Sequence, residues 1–85
     1  PQYGIVAHLL RNFLVSELSK RFGEKIRSVR TAKGISQDKL AVKSQIDRSY
    51  IGRIDRGEVN ITIDKLYILA AALECKPAEL LPEMK

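Results

Sequence analysis

Residues 34–57 read GISQDKLAVKSQIDRSYIGRIDRG, and this stretch decides the fold. Ser36 and Asp47 each precede a short segment with helical spacing, which is where helices are capped. Leu40 in the first segment, and Ile51 and Ile54 in the second, lie at offsets that bury two helices against each other. The pattern predicts two short helices, residues 37–43 and 48–56, joined by a tight turn and ended by glycine.

The chain before residue 34 predicts a longer helix. Gly34 lies just past the last apolar position, where helices commonly end. Ser16 or Ser19 is a candidate cap for its main part. Residues 1–15 form an N-terminal extension that either lengthens this helix or makes a separate short one, and residues 16–85 form the domain. The stripe expected to be buried consists of Leu14, Leu18, Phe22, Ile26 and Val29.

The chain after residue 57 predicts two further helices. Thr62 is a candidate cap for the fourth, and Pro77 is suited to the first turn of the last, residues 77–81. Alternation typical of a strand is confined to residues 59–63, so the prediction is an all-α, compact five-helix domain. The stripe expected to be buried in the fourth helix consists of Ile63, Leu66, Leu69, Ala70 and Leu73.

Composition narrows the class of function. The net charge is +5 and the pI about 9.6, and residues 1–34 hold seven Lys/Arg against two Glu, so the basic charge lies toward the N-terminal part. His8 and Cys75 are single and cannot form a zinc site alone, and there is no glycine-rich phosphate loop. We therefore expect no enzyme, cofactor or metal, no membrane span, and a reducing, cytoplasmic and nucleoid-associated location.

The stretch GISQDKLAVKSQIDRSYIGRIDRGEVNITIDKLYILAAAL, residues 34–73, resembles the phage-repressor/Cro-type (XRE) helix-turn-helix family. Within it, DRSYIGRIDRG followed by NITIDKL is most similar to the controller proteins of restriction–modification systems. The resemblance covers about residues 20–81 and implies a DNA-binding dimer with double-stranded DNA as its partner. Gln45 departs from the glycine common at that turn, where left-handed backbone costs a side chain on the order of 1 kcal/mol.

The second helix of the pair carries the candidate base contacts. Its N-terminus enters the major groove deepest, and an arginine can grip guanine with two hydrogen bonds. Tyr50 is suited to a phosphate or a thymine methyl group, and Gly52 allows close approach. The alternative for the arginines is an ordinary solvated position. The predicted base contacts are Arg48, Ser49, Tyr50 and Arg53.

A second set is predicted to contact the DNA backbone. The resemblance implies a DNA contact for Gln37, whose helix end presents free N–H groups to a phosphate. Asn60 and Thr62 resemble backbone-contacting positions of the controller group, and a plain helix cap is an equal alternative for Thr62. Lys43 is a weaker candidate on the supporting helix.

Asp55 faces the core side of its helix, where an unpaired carboxylate is costly. Arg30 flanks the apolar stripe of the first helix, so we predict an internal Arg30–Asp55 ion pair. The resemblance implies an Arg–Glu pair at these positions. Because aspartate is shorter, we expect a single contact rather than a bidentate one.

Dimerisation is predicted at the C-terminal end, through Ile68, Leu81 and Met84. The alternative is that such residues close the monomer's own core, which we favour for Leu80. The remaining apolar residues near the start either enlarge the dimer interface or pack back on the last helix. They are Ile5, Leu9, Leu10 and Phe13.

The predicted function is a transcriptional regulator that binds a palindromic operator as a dimer, with half-sites about 34 Å apart. A restriction–modification controller is the preferred role, and RNA polymerase is a further candidate partner. The alternatives are a prophage or chromosomal repressor, or an antitoxin-type module that binds mainly protein.

Overall fold

The computed structural model describes residues 2–83, with side chains from residue 4 onward. The elements are α1 (Gln2–Ala32), α2 (Gln37–Ser44), α3 (Arg48–Asp55), α4 (Ile63–Ala72) and a final 3-10 turn (Pro77–Leu80). The described part of the chain holds no strand, so the all-α prediction is confirmed. The fifth helix is shorter than predicted, because it is a four-residue 3-10 turn opened by proline.

α1 is one continuous helix of 31 residues, so the extension lengthens the first helix. Ser16 and Ser19 lie inside this helix and do not cap it. At the other end, Gly34 adopts a φ of +67°, and the N–H of Ile35 donates to the carbonyl of Arg30 at 2.9 Å. The positive φ is readily available only to glycine, which explains why α1 ends at this point.

The core forms where α1 packs against α3 and the 3-10 turn, and where α2 and the 3-10 turn pack against α4. The predicted burial of Leu14 and Leu18 is wrong, since both are exposed on the first half of α1. Ile63 is also exposed, because it opens α4 and its side chain leans back past the helix start. The fully buried large side chains are Ile26, Leu40, Ile51, Ile54, Leu69, Leu73 and Leu80.

Two of the three caps predicted after α1 form. Ser36 Oγ accepts from the N–H of Lys39 at 3.0 Å, and Thr62 Oγ1 accepts from the N–H of Lys65 at 3.2 Å. Asp47 occupies the cap position of α3, but its side chain makes no cap bond, which corrects the prediction. Its carboxylate instead accepts the hydroxyl of Ser49 at 2.7 Å.

Two glycines fix how closely α1 approaches the end of α3. A Cβ on Gly23 would collide with the carbonyl oxygens of Ile54 and Asp55. Gly57, with a φ of +71°, lies against the backbone of Lys20 in the same way. α3 is therefore seated by its C-terminal end on α1, which leaves its N-terminal end projecting toward solvent.

Candidate nucleic-acid interface

The turn between α2 and α3 sets the angle at which α3 leaves the domain. Gln45 has φ 57° and ψ 31°, the left-handed conformation that glycine adopts most easily. Next to it, the buried Ser44 accepts the N–H of Ile46 through Oγ at 3.2 Å. A hydrogen bond from a side chain thus supports a turn whose backbone is mildly strained at Gln45.

A buried carboxylate joins the three helices behind the interface. Arg30 Nη2 lies 2.8 Å from Asp55 Oδ2, and the two side chains are only 13% and 2% exposed. Gln37 Nε2 donates to the same oxygen at 2.7 Å. Both donors use Oδ2, so the ion pair is a single contact, and Asp55 Oδ1 has no partner among the described residues.

Further bonds from α1 lock the same junction. Arg30 Nη1 donates to the carbonyl of Ile35 at 3.0 Å, just before α2. Arg27 Nη2 donates to the carbonyl of Asp55 at 3.2 Å, at the end of α3. One arginine, Arg30, therefore links α1 to both helices of the pair. The hydrogen bond from Gln37 to Asp55 was not predicted from the sequence, because nothing in the spacing indicates that the amide of Gln37 turns inward.

The N-terminal end of α3 carries two side chains held by acidic neighbours. Arg48 Nε lies 2.7 Å from Asp38 Oδ1, and both side chains are largely exposed. Ser49 donates its hydroxyl to Asp47 at 2.7 Å. Contacts at such exposure are weak and are easily exchanged for a phosphate or a base edge. The carboxylates thus hold both groups near the end of α3 without burying them.

The outward side of α3 borders a shallow groove of about 400 Å³. Arg53 is exposed there, and the Tyr50 ring is half-buried with the Lys65 ammonium 4.4 Å from its centroid, a cation–π distance. Sequence reasoning missed Lys65; the signal was its position three residues after the cap Thr62, in the first turn of α4. The groove residues are Gln45, Ile46, Asp47, Ser49, Tyr50, Arg53 and Lys65.

Beyond α3 the charges pair locally. Arg56 Nε lies 2.6 Å from Glu58 Oε2 on the surface. The hydrogen bond and the charge of Arg56 lower the pKa of the Glu58 carboxyl, and Glu58 in turn raises the pKa of Arg56. Arg56 is thus held as a partner of Glu58, while Arg53 is left to face the groove.

The predicted backbone-contacting residues are partly engaged within the domain. Asn60 Oδ1 accepts the hydroxyl of Ser19 from α1 at 2.9 Å. Thr62 Oγ1 serves as the cap of α4, and Gln37 turns its amide nitrogen to Asp55. Lys43 lies exposed in the last turn of α2. The structure thus keeps these four residues on the surface around α3 but gives three of them internal bonds.

Two residues of the predicted dimer surface are partly exposed. Ile68 on α4 is 44% exposed and Leu81 is 50% exposed, while Leu80 beside it is fully buried. Met84 lies outside the described residues. The expectation that Leu80 closes the monomer's own core is met. Cys75 is partly buried, which raises the pKa of its thiol above the usual value.

The arrangement of α2, turn and α3 has known relatives. The helix-turn-helix family HTH_3 matches residues 26–80, about two thirds of the chain. The chain belongs to this family. Control protein C.BamHI of Bacillus amyloliquefaciens is 39% identical over 61 residues, 71% of this chain and 75% of that protein. The family of this helix-turn-helix chain is one of DNA-binding transcriptional regulators.

Solved structures agree with the fold. The restriction–modification controller protein C.AhdI from Aeromonas hydrophila has a TM-score of 0.72 at 44% identity, covering 74% of this chain and 96% of that chain. C.Esp1396I, solved as a tetramer in complex with its natural 35-base-pair operator, has a TM-score of 0.70 at 35% identity, covering 74% of this chain and 83% of that one.

Among the described residues, no helix is long and apolar enough to cross a membrane.

Proposed function

We propose that this helix-turn-helix protein is a sequence-specific regulator of transcription, the controller of a restriction–modification system, acting as a dimer on a palindromic operator. The observation that carries the proposal is the seating of α3. Its C-terminal end is bound to α1 and α2 through the buried Asp55, while its N-terminal end and one face carry exposed polar side chains. The likeness to C.Esp1396I, solved with its operator, supports the same role.

In the proposed complex α3 lies in the major groove with its N-terminus deepest. Arg48 leaves the exposed carboxylate of Asp38 and donates two hydrogen bonds to a guanine edge. Ser49 and Tyr50 read or contact neighbouring positions, and Arg53 follows one turn later. Asp38 contacts Arg48 only through Nε, so the two Nη groups are free of this bond. The guanidinium then exchanges the carboxylate for a guanine edge with little reorganisation.

The backbone contacts position α3 and do not specify sequence. Gln37 Nε2 donates one hydrogen to Asp55, so in the proposed complex its second amide hydrogen and the N–H groups at the start of α2 donate to a phosphate. Lys43 supplies charge, and Asn60 has its amide nitrogen free of the bond to Ser19. Thr62 keeps its capping bond and adds a hydroxyl hydrogen toward a phosphate.

The dimer is proposed to form through Ile68, Leu81 and Met84, which places two copies of α3 about one DNA turn apart. RNA polymerase is the further partner through which a bound dimer would alter transcription. In this role the protein acts in the cytoplasm as a binding protein and not as an enzyme.

Selection of bound fragments from a random DNA pool tests the proposal. The full chain should enrich a two-fold symmetric sequence whose half-site centres lie about 10 base pairs apart. Its affinity should fall steeply with salt, because phosphate contacts release counterions. Failure to enrich any sequence above the starting pool would refute sequence-specific binding.

A further inference from the structure

The first half of α1 forms an exposed arm, residues 4–18, that the helix-turn-helix match does not include. Every residue from 4 to 14 is exposed, and the molecule measures 49 × 25 × 19 Å, which reflects this projection. An isolated helix of this length is marginal in water unless its apolar face is covered. The arm is therefore a part of the molecule that the described residues of its own chain do not cover.

The arm carries seven large apolar side chains in two rows with a spacing of four residues. Their exposure ranges from 36% to 67%. This exceeds the scattered apolar residues of an ordinary surface and is typical of an interaction site. The arm stripe consists of Ile5, Val6, Leu9, Leu10, Phe13, Leu14 and Leu18.

The residues of the arm stripe from Ile5 to Phe13 face away from the core of their own domain, while Leu14 lies at the edge of that face and Leu18 on the core side. At 100° per residue, the centre of the residues from Ile5 to Phe13 lies about 160° from the centre of Phe22, Ile26 and Val29 on the same helix. A straight helix cannot turn both faces inward at once. The described residues of the same chain therefore leave the stripe uncovered.

We infer that the arm is a self-association element, in which the arm stripe of one copy packs against the arm stripe of a second copy. The exposed area is on the order of what one partner contributes to a standard protein–protein interface, several hundred Å². At its base, Val15 and Leu18 line an apolar groove of about 340 Å³ with Ile61 and Pro82. Pro82 in this groove follows Leu81 in the chain, so the base of the arm lies near one residue of the proposed dimer surface, and this step rests on the proposed function.

Charge favours a second copy over a membrane surface. Arg11 lies on the side opposite the stripe, and Glu17 near its base is paired with Arg21 at 3.5 Å. Two stripes therefore meet without unpaired like charges. Helices that lie on membranes carry several Lys or Arg on their polar face, whereas the polar face of this arm holds Arg11 with His8, Asn12 and Ser16.

The test changes the stripe without touching the domain. Leu9→Glu combined with Phe13→Glu places charge in the stripe at two exposed positions, so the monomer should keep its fold, as circular dichroism would check. The matched control is His8→Glu with Asn12→Glu, the same spacing and residue type on the polar face, where the two side chains lie 3.2 Å apart. Sedimentation over a wide concentration range should show association weakened about tenfold or more in the stripe variant only.

A mixing experiment identifies the occupant. Copies with Leu9→Glu and Phe13→Glu are mixed with copies carrying Leu9→Lys and Phe13→Lys. If arm packs on arm, opposite charges meet and the mixture regains mass that neither variant reaches alone. No recovery on mixing would overturn arm-to-arm packing.

Other outcomes separate this inference from the proposed function. Equal masses for the native chain and the stripe variant would overturn the arm pairing, and operator binding by both would leave the DNA role intact. Vesicle binding by the native chain that the stripe variant loses, with no change in mass, would assign the arm to a membrane instead. Ile68→Glu serves as the comparison, since it tests the proposed dimer surface and spares the arm.

Discussion

Two ion pairs of nearly the same length have different surroundings and, we propose, different roles. Arg30–Asp55 spans 2.8 Å and is almost wholly buried, with Gln37 as a third member. Arg48–Asp38 spans 2.7 Å and is largely exposed. Burial makes the first pair necessary for the packing of the helices, because removing one partner leaves the charge of the other buried without a counter-charge or water. Exposure makes the second exchangeable, because water or DNA can replace either partner.

The largest expected effect is on the buried pair. Asp55→Ala leaves the Arg30 guanidinium buried without its counter-charge, which costs about 3–5 kcal/mol of unfolding free energy in comparable sites. In a domain of this size that lowers Tm by more than about 10 °C. Thermal unfolding followed by circular dichroism measures it.

The matched control is Asp38→Ala, which removes the carboxylate of the exposed pair. It should change the unfolding free energy by no more than about 0.5 kcal/mol, as surface substitutions usually do. Equal losses of stability from the two substitutions would remove the distinction between the two pairs.

Sequence spacing predicted the buried pair, since the faces of α1 and α3 placed Arg30 and Asp55 beside the apolar stripes. It also predicted the two-helix layout and the caps at Ser36 and Thr62. The caps depend on residues within one helical turn, and the pair depends on the face that each residue takes beside its own apolar stripe, so periodicity predicts both. The bridge from Gln37 depends on a hydrogen bond across 18 positions of the chain, which spacing does not record.

Apolar spacing predicted burial for three residues that are exposed, Leu14, Leu18 and Ile63. Apolar spacing indicates which face of a helix is to be covered, but it does not say what covers it. The stripe of α1 is continuous in sequence, yet only its second half meets the rest of the domain. Asp47 is a similar case, because the cap position was identified but the hydroxyl of Ser49 took the carboxylate.

The second effect concerns the arginine of the exposed pair. Arg48→Ala should weaken binding to the selected operator by about 1–3 kcal/mol for each guanine that the side chain no longer reaches, while Tm changes little. Fluorescence anisotropy at one fixed salt concentration measures the affinity. Arg21→Ala is the control, because Arg21 is also an exposed, ion-paired arginine but lies on α1. Unchanged operator affinity for Arg48→Ala would refute its role in reading a base.

A smaller effect on operator affinity is expected from replacing the carboxylate of Asp38, the partner of Arg48. Asp38→Asn removes a negative charge near the DNA and the competing partner of Arg48, so operator affinity should rise by about 0.5–1 kcal/mol. Combining it with Arg48→Ala should reduce the gain, because the part that comes from releasing the arginine is lost. A fall in affinity for Asp38→Asn alone would mean that Asp38 positions Arg48 for binding and does not compete with DNA.

The smallest effect on stability is expected from breaking Arg56–Glu58, an exposed pair just beyond the C-terminal end of α3. The pKa of Glu58 is lowered from its ordinary value of 4.5, first by the hydrogen bond from Arg56. A depressed carboxyl pKa stabilises the fold above the unfolded value, and that contribution disappears as pH falls through the folded value. Glu58→Gln should therefore leave Tm unchanged within error at pH 7 and slightly reduce the loss of stability below a pH of about 4.5. A large drop in Tm at pH 7 would show that exposure alone does not separate the two kinds of pair.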